Sequence, residues 1–173
     1  MRIATHIRLM ALAIAIALFG CTAQPAVPGW ASCNEHTLTC NTYEVALRDW
    51  RVYVTPDADS GSPYLSPEEW RVQDALAVDV DRDGITELVL LSWRQSNFGT
   101  STPFWKENDT TTWTQHLFIL RPTATELQPV WMTSDMGMEV SEIHAQDGRI
   151  EIVERDGTHS LWEWLSWGLT LVE

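Results

Sequence analysis

The sequence predicts an all-β, mainly antiparallel domain, and three observations predict it. Apolar residues recur in short runs bounded by turn formers, as strands require. The dipeptides Asp83-Gly84, Asp147-Gly148 and Asp156-Gly157 punctuate those runs, and Asp-Gly supplies the positive φ angles of a tight hairpin. Beyond the N-terminal segment no long stretch keeps the roughly 3.6-residue period of an amphipathic helix, so helices should be few and short.

In chain order, strands are expected over residues 43–47, 50–54, 71–80, 87–93, 115–121, 127–132, 140–144, 149–154, 159–164 and 169–172. Residues 56–63, with Pro56, Asp57, Asp59, Ser60, Gly61 and Pro63, read as a loop. Ser66-Pro67-Glu68-Glu69 offers an N-cap serine, proline at the first helical position and glutamate three residues after the cap, which predicts one short helical turn. Asp83-Gly84 and Asp147-Gly148 share a weak internal echo, each followed by a β run, at a separation of 64 residues. That spacing is long for one propeller blade of about 40–50 residues, and Asp-Gly is itself a common turn, so a true repeat stays open.

The N-terminus places Arg2, His6 and Arg8 around the start of an apolar run over residues 9–19. This is the charged-then-apolar order of a secretory signal, and the run is shorter than the roughly 20 residues a membrane-spanning helix needs. Leu18-Phe19-Gly20-Cys21 resembles the lipobox of bacterial lipoproteins. The resemblance implies cleavage after residue 20, lipidation of Cys21 and a place in the cell envelope, outside the cytoplasm and held to the membrane by the lipid. Residues 21–32, with Pro25, Pro28 and Gly29, read as a flexible tether. Residues 33–173 read as one β domain.

Removing 20 residues from 173 leaves 153, with nine basic against 24 acidic side chains and a formal charge of −15. Such a charge repels phosphate backbones, so nucleic acid is not an expected partner, and cations or neutral ligands are favoured. Cys33 and Cys40 are expected to form a disulfide in an oxidising compartment, closing a small loop near the tether.

The most specific stretch is Asp79-Val80-Asp81-Arg82-Asp83-Gly84-Ile85-Thr86-Glu87-Leu88. Alternate carboxylates on a curled loop can aim hard oxygens at one point, which is what Ca²⁺ requires. Asp79, Asp81, Asp83 and Glu87 would supply carboxylates and Ile85 its carbonyl, while Gly84 allows the turn. An EF-hand would need glutamate where Leu90 stands, and the flanks read as strands. The alternative is a solvated acidic hairpin that binds nothing. Residues 77–89 resemble the Asp-x-Asp-x-Asp-Gly-x-x-Glu-Leu core of FG-GAP and VCBS repeats, the calcium-loop blades of integrin-type β-propellers. That resemblance covers about 20 residues and implies metal held in a hairpin loop, small propeller-like sheets, and a binding or scaffolding role. The echo at Asp147 departs from the pattern, with Ile143 and Ala145 where Asp79 and Asp81 stand. An incomplete propeller, a curved sheet and a sandwich all stay open.

Ten tryptophans suit either a core of large rings or a sugar-stacking surface. The long connection over residues 96–114 could carry binding residues. Phe104, Trp105, Trp113 and His116 are the candidates there, with a glycan or an unknown envelope protein as partner. Ser-nucleophile elbows, His-Glu-x-x-His and phosphate-loop motifs are absent from the sequence, so no enzymatic activity is expected.

Overall fold

A computed structural model of the chain describes residues 27–57, 61–95 and 112–172. Their strands fall into three four-stranded antiparallel sheets, each running edge to edge in chain order. The first holds β1 (His36–Cys40), β2 (Tyr43–Arg48), β3 (Arg51–Thr55) and β4 (Tyr64–Leu65). The second holds β5 (Arg71–Val78), β6 (Glu87–Gln95), β7 (Trp113–Pro122) and β8 (Leu127–Met132), and the third β9 (Val140–Gln146), β10 (Arg149–Glu154), β11 (His159–Leu165) and β12 (Gly168–Leu171). The first strands lie side by side, β1 against β5 and β5 against β9. No sheet closes into a barrel. The all-β class and the small propeller-like sheets thus agree with the sequence.

The two-residue period of a strand explains the order of packing. On β6, Leu88 and Leu90 enter a core shared with Val45, Leu47, Val52 and Val54 of the first sheet. Val89 and Leu91 enter a second core with Ile143, Ile150 and Ile152 of the third. β7 repeats the division, with Phe118 and Leu120 on one side and Leu117 and Ile119 on the other. The central strands β6 and β7 are therefore buried on both faces, which is why each carries an unbroken apolar run. The outer sheets bury one face each. On the third, Arg149 and Glu151 point away from the core side taken by Ile150 and Ile152, and ion pairs cover that outer face: Arg149–Glu163 at 3.1 Å, His159–Glu151 at 2.9 Å and His144–Glu142 at 3.2 Å.

The first hairpin of each sheet turns at the same end of the stack. Asn41, between β1 and β2, donates its side-chain amide to the Thr86 carbonyl at 2.7 Å and accepts from the Thr86 N–H at 3.0 Å. Arg82, in the β5–β6 loop, reaches the Asp147 carbonyl of the β9–β10 turn at 3.4 Å. Asn41, Arg82 and Asp147 all adopt positive φ, between 51° and 59°. The echo between Asp83-Gly84 and Asp147-Gly148 thus falls on equivalent hairpins of neighbouring sheets.

Three expectations need correction. The helical turn at Ser66 is a hydrogen-bonded turn, closed by the Trp70 N–H on the Pro67 carbonyl at 3.2 Å. The buried Ser66 hydroxyl accepts from the Val52 N–H instead of capping a helix. Two strands were not anticipated: the threonine-rich β1, and β4, which pairs Tyr64 and Leu65 with β3. Third, Cys33 and Cys40 are free thiols. Cys33 lies by the Val72 carbonyl and Cys40 by the Thr86 carbonyl, at opposite ends of the β5–β6 ladder. The six steps of β5 from Val72 to Val78 span about 20 Å, whereas a disulfide needs Cα atoms within about 7 Å. The signal, Cys21 and the first half of the tether lie outside the described residues.

Two predictions follow from this packing. Leu90→Ala should cost about 3 kcal/mol in urea unfolding, because it empties a closed core, whereas Tyr53→Ala on the outer face of the first sheet should cost under about 1 kcal/mol. Without reductant, alkylation followed by peptide mapping should modify half-buried Cys33 in the native protein. Cys40, whose burial and the nearby Glu87 push its thiol up to about 12, should react only in denaturant.

Candidate metal centre

Past an irregularity at Gln73, β5 and β6 pair without a break from Asp74 and Leu91 down to Val78 and Glu87, and the acidic loop is the chain between them. Two local features curl it. Arg82 takes φ 59° and Gly84 φ 89°, and the aspartates tie their own backbone. Asp79 accepts from the N–H groups of Asp83 at 3.1 Å and Gly84 at 2.9 Å. Asp81 accepts from Asp83 at 3.2 Å, and Asp83 from Ile85 at 2.8 Å. Short aspartate side chains make such bonds readily, and here they hold carboxylates on the concave side.

Ligand-capable oxygens of Asp79, Asp81 and Glu87 lie within 4.8 Å of one another. Glu87 is fully buried; its Oε2 accepts from the Val80 N–H at 3.0 Å and its Oε1 from Arg121 Nε at 2.8 Å. Burial pushes the Glu87 carboxyl up, opposed chiefly by the Arg121 guanidinium. Asp83 stands apart from that trio and is exposed. The Ile85 N–H, and then Arg121, hold its carboxyl below the usual range. Ile85 leaves its side chain 45% exposed.

Arg121, near the end of β7, is the site residue that sequence reasoning missed. Its Nη2 lies 2.6 Å from Glu87, 2.8 Å from Asp83 and 3.3 Å from Asp81. One guanidinium thus faces three carboxylates that would otherwise repel one another. The pairing of Leu88 with Leu120 brings it there, since Glu87 and Arg121 are the next residues outward on adjacent strands. The donor set consists of hard carboxylate oxygens and fits Ca²⁺ in kind, with Arg121 supplying the positive charge that the loop requires without an ion.

The other candidates do not form one site. Phe104 and Trp105 lie outside the described residues. Trp113 opens β7 and lines a cleft of about 310 Å³ with Trp93, Gln115, Asp135 and Glu139. His116 belongs to the interior, 2% exposed, with its ring 5.7 Å from Phe118. Its Nδ1 faces the Thr133 carbonyl at 3.3 Å and its Nε2 the Thr114 hydroxyl at 2.9 Å, which suits a neutral ring protonated on Nδ1. Strand alternation separates it from Trp113 and Gln115, which share the other face of β7.

No family model, curated protein or solved structure matches the chain. The likeness to FG-GAP and VCBS repeats therefore rests on the loop residues themselves.

His116, away from the acidic loop, gives the core a pH dependence of known sign. Burial lowers its pKa from the ordinary 6.5, outweighing the Thr133 carbonyl. The unfolded chain therefore takes up a proton on acidification before the folded one does, and His116's contribution to stability, complete above pH 6.5, declines below it. Between pH 7 and pH 5 the urea midpoint of the wild type should fall relative to His116→Gln, which keeps hydrogen-bonding groups but cannot titrate. Parallel profiles would show that the ring does not titrate differently in the two states.

Proposed function

We propose that the protein is a lipid-anchored binding or scaffolding module of the bacterial cell envelope, outside the cytoplasm, whose Asp79–Glu87 loop holds a structural calcium ion. The observation carrying this reading is the convergence of Asp79, Asp81 and Glu87 oxygens at the end of the doubly buried sheet. Asp83 and the Ile85 carbonyl complete the proposed ligand set, as the loop's resemblance to calcium-bearing repeats implies. Calcium would supply positive charge that joins the two sides of the hairpin. Arg121 is the chain's own countercharge, keeping the carboxylates together before the ion arrives and standing back from Glu87 when it does. Anchoring follows from the lipobox at Cys21, and the partner is a protein or glycan of the envelope.

A second reading has one observation in its favour. Trp93 and Trp113 share their cleft with Asp135 and Glu139, the combination of ring and carboxylate that receives sugars. Binding on a soluble-glycan array that Trp113→Ala removes would support it.

Calorimetry and thermal melts test the calcium reading. Calcium at about 100 times its Kd should stabilise the wild type by about 2.7 kcal/mol, roughly 5–10 °C in a domain of this size. Asp81→Asn should lose that increment. Arg121→Gln should melt lower than wild type in chelator yet bind calcium more tightly, because the competing cation is gone. Equal wild-type melting temperatures in calcium and in chelator would sink the proposal.

A further inference from the structure

Between the second and third sheets lies a cavity of about 310 Å³, which shares Asp135 and Met138 with the Trp113 cleft. Its walls are Trp131 of β8, Trp162 of β11, Leu169 of β12, and Met136 and Met138 from the β8–β9 connection, with Asp135 beside them. The walls are fixed from behind. Trp131 rests on Gly168, where a Cβ would come 2.9 Å from its indole nitrogen, and meets the Trp164 ring edge-on at 6.4 Å. Trp162 gives its indole N–H to the Ser160 hydroxyl at 2.9 Å, so what it adds to the cavity is ring surface. The connection itself is pinned, with the N–H groups of Thr133 and Met136 bound to the Leu117 and Gln115 carbonyls at 3.0 Å each. The Gly137 N–H bonds Asp135 at 2.9 Å.

Charge and size narrow the ligand. Among the described residues no lysine, arginine or histidine lines the cavity, and Asp135 brings the only formal charge. The space is about ten times that of one water, far too large for a bare ion. A neutral sugar would need several directed hydrogen bonds, yet the walls are chiefly indole, thioether and aliphatic carbon, joined by Ser134 and by Thr133, whose hydroxyl already accepts from the Leu117 N–H at 2.9 Å. Indole faces with one carboxylate attract a cation whose surface is hydrocarbon, because the ring quadrupole and the carboxylate both favour positive charge while methyl groups pack on the apolar walls. A chain with net charge −13 also concentrates cations around it.

We propose that this cavity binds a small organic cation with an alkylated ammonium head. The site is independent of the calcium loop.

Choline, its neutral carbon isostere dimethylbutanol, and maltose serve as probes, read by tryptophan fluorescence and calorimetry on the full chain at constant ionic strength. Choline should give a saturable change, with dimethylbutanol about tenfold weaker or worse. Asp135→Asn keeps an acceptor for the Gly137 N–H but removes the charge, and should weaken choline about fivefold or more at an unchanged melting temperature. Trp162→Leu should abolish binding, and Asp81→Asn should leave it intact even where calcium binding fails. Absence of saturable choline binding, equal affinity for the neutral isostere, preference for maltose, or an unaffected Asp135→Asn variant would each overturn the proposal.

Discussion

The burial of the middle sheet on both faces is the constraint from which the remainder follows. Between the two cores, β6 runs Leu88-Val89-Leu90-Leu91 and β7 runs Leu117-Phe118-Ile119-Leu120, all 1% exposed or less, while the buried Asp74 of β5 is held by the Asn34 side chain and the Ala75 N–H. At roughly 25 cal/mol per Å² of apolar surface, each of these side chains contributes about 1.5–3 kcal/mol, and that sum fixes both the register and the stacking order. A slip of one residue would exchange the two sets of side chains between two differently shaped cores. Polar chemistry is accordingly pushed to the ends of the sheet, where the acidic loop sits.

That displacement explains the loop's electrostatics. Glu87 is the first residue of β6 and is dragged inside with it, so its carboxylate cannot rely on water. Register supplies Arg121 on the neighbouring strand, and the Val80 N–H completes the shell. The arginine fork suits the task because it reaches Glu87 through two nitrogens while also meeting Asp81 and Asp83. The guanidinium therefore holds these carboxylates together, and the calcium affinity proposed for the loop would be set against the strength of that internal pairing.

Much of the strand order was legible because β patterns depend on local alternation. Residues 127–132 and 149–154 coincide with β8 and β10 as read from the sequence. β1 escaped because His36-Thr37-Leu38-Thr39-Cys40 carries one aliphatic side chain among polar neighbours, and β4 is too short to show a period. The loop's aspartates were legible because they are contiguous. Arg121 was not, since its role depends on a pairing between strands 34 residues apart, and its one visible mark is a lone cation closing an apolar run. The cysteines misled for the same reason: seven residues is a short loop in sequence, but an extended strand occupies most of it and carries the thiols apart.

Why the stack remains open is decided at its outer faces. A closed propeller would press the third sheet's free face against another sheet, yet that face carries Glu142, His144, Arg149, Glu151, His159 and Glu163. Burying such pairs exchanges modest surface attraction for a large desolvation penalty, which the partners' mutual attraction seldom repays. The free face of the first sheet carries Thr37, Ala46, Tyr53 and Leu65 in register across four strands, with Glu44, Arg48 and Arg51 on the same side. The two ends of the stack are therefore not complementary apolar surfaces, and packing another sheet on the third would desolvate these ion pairs.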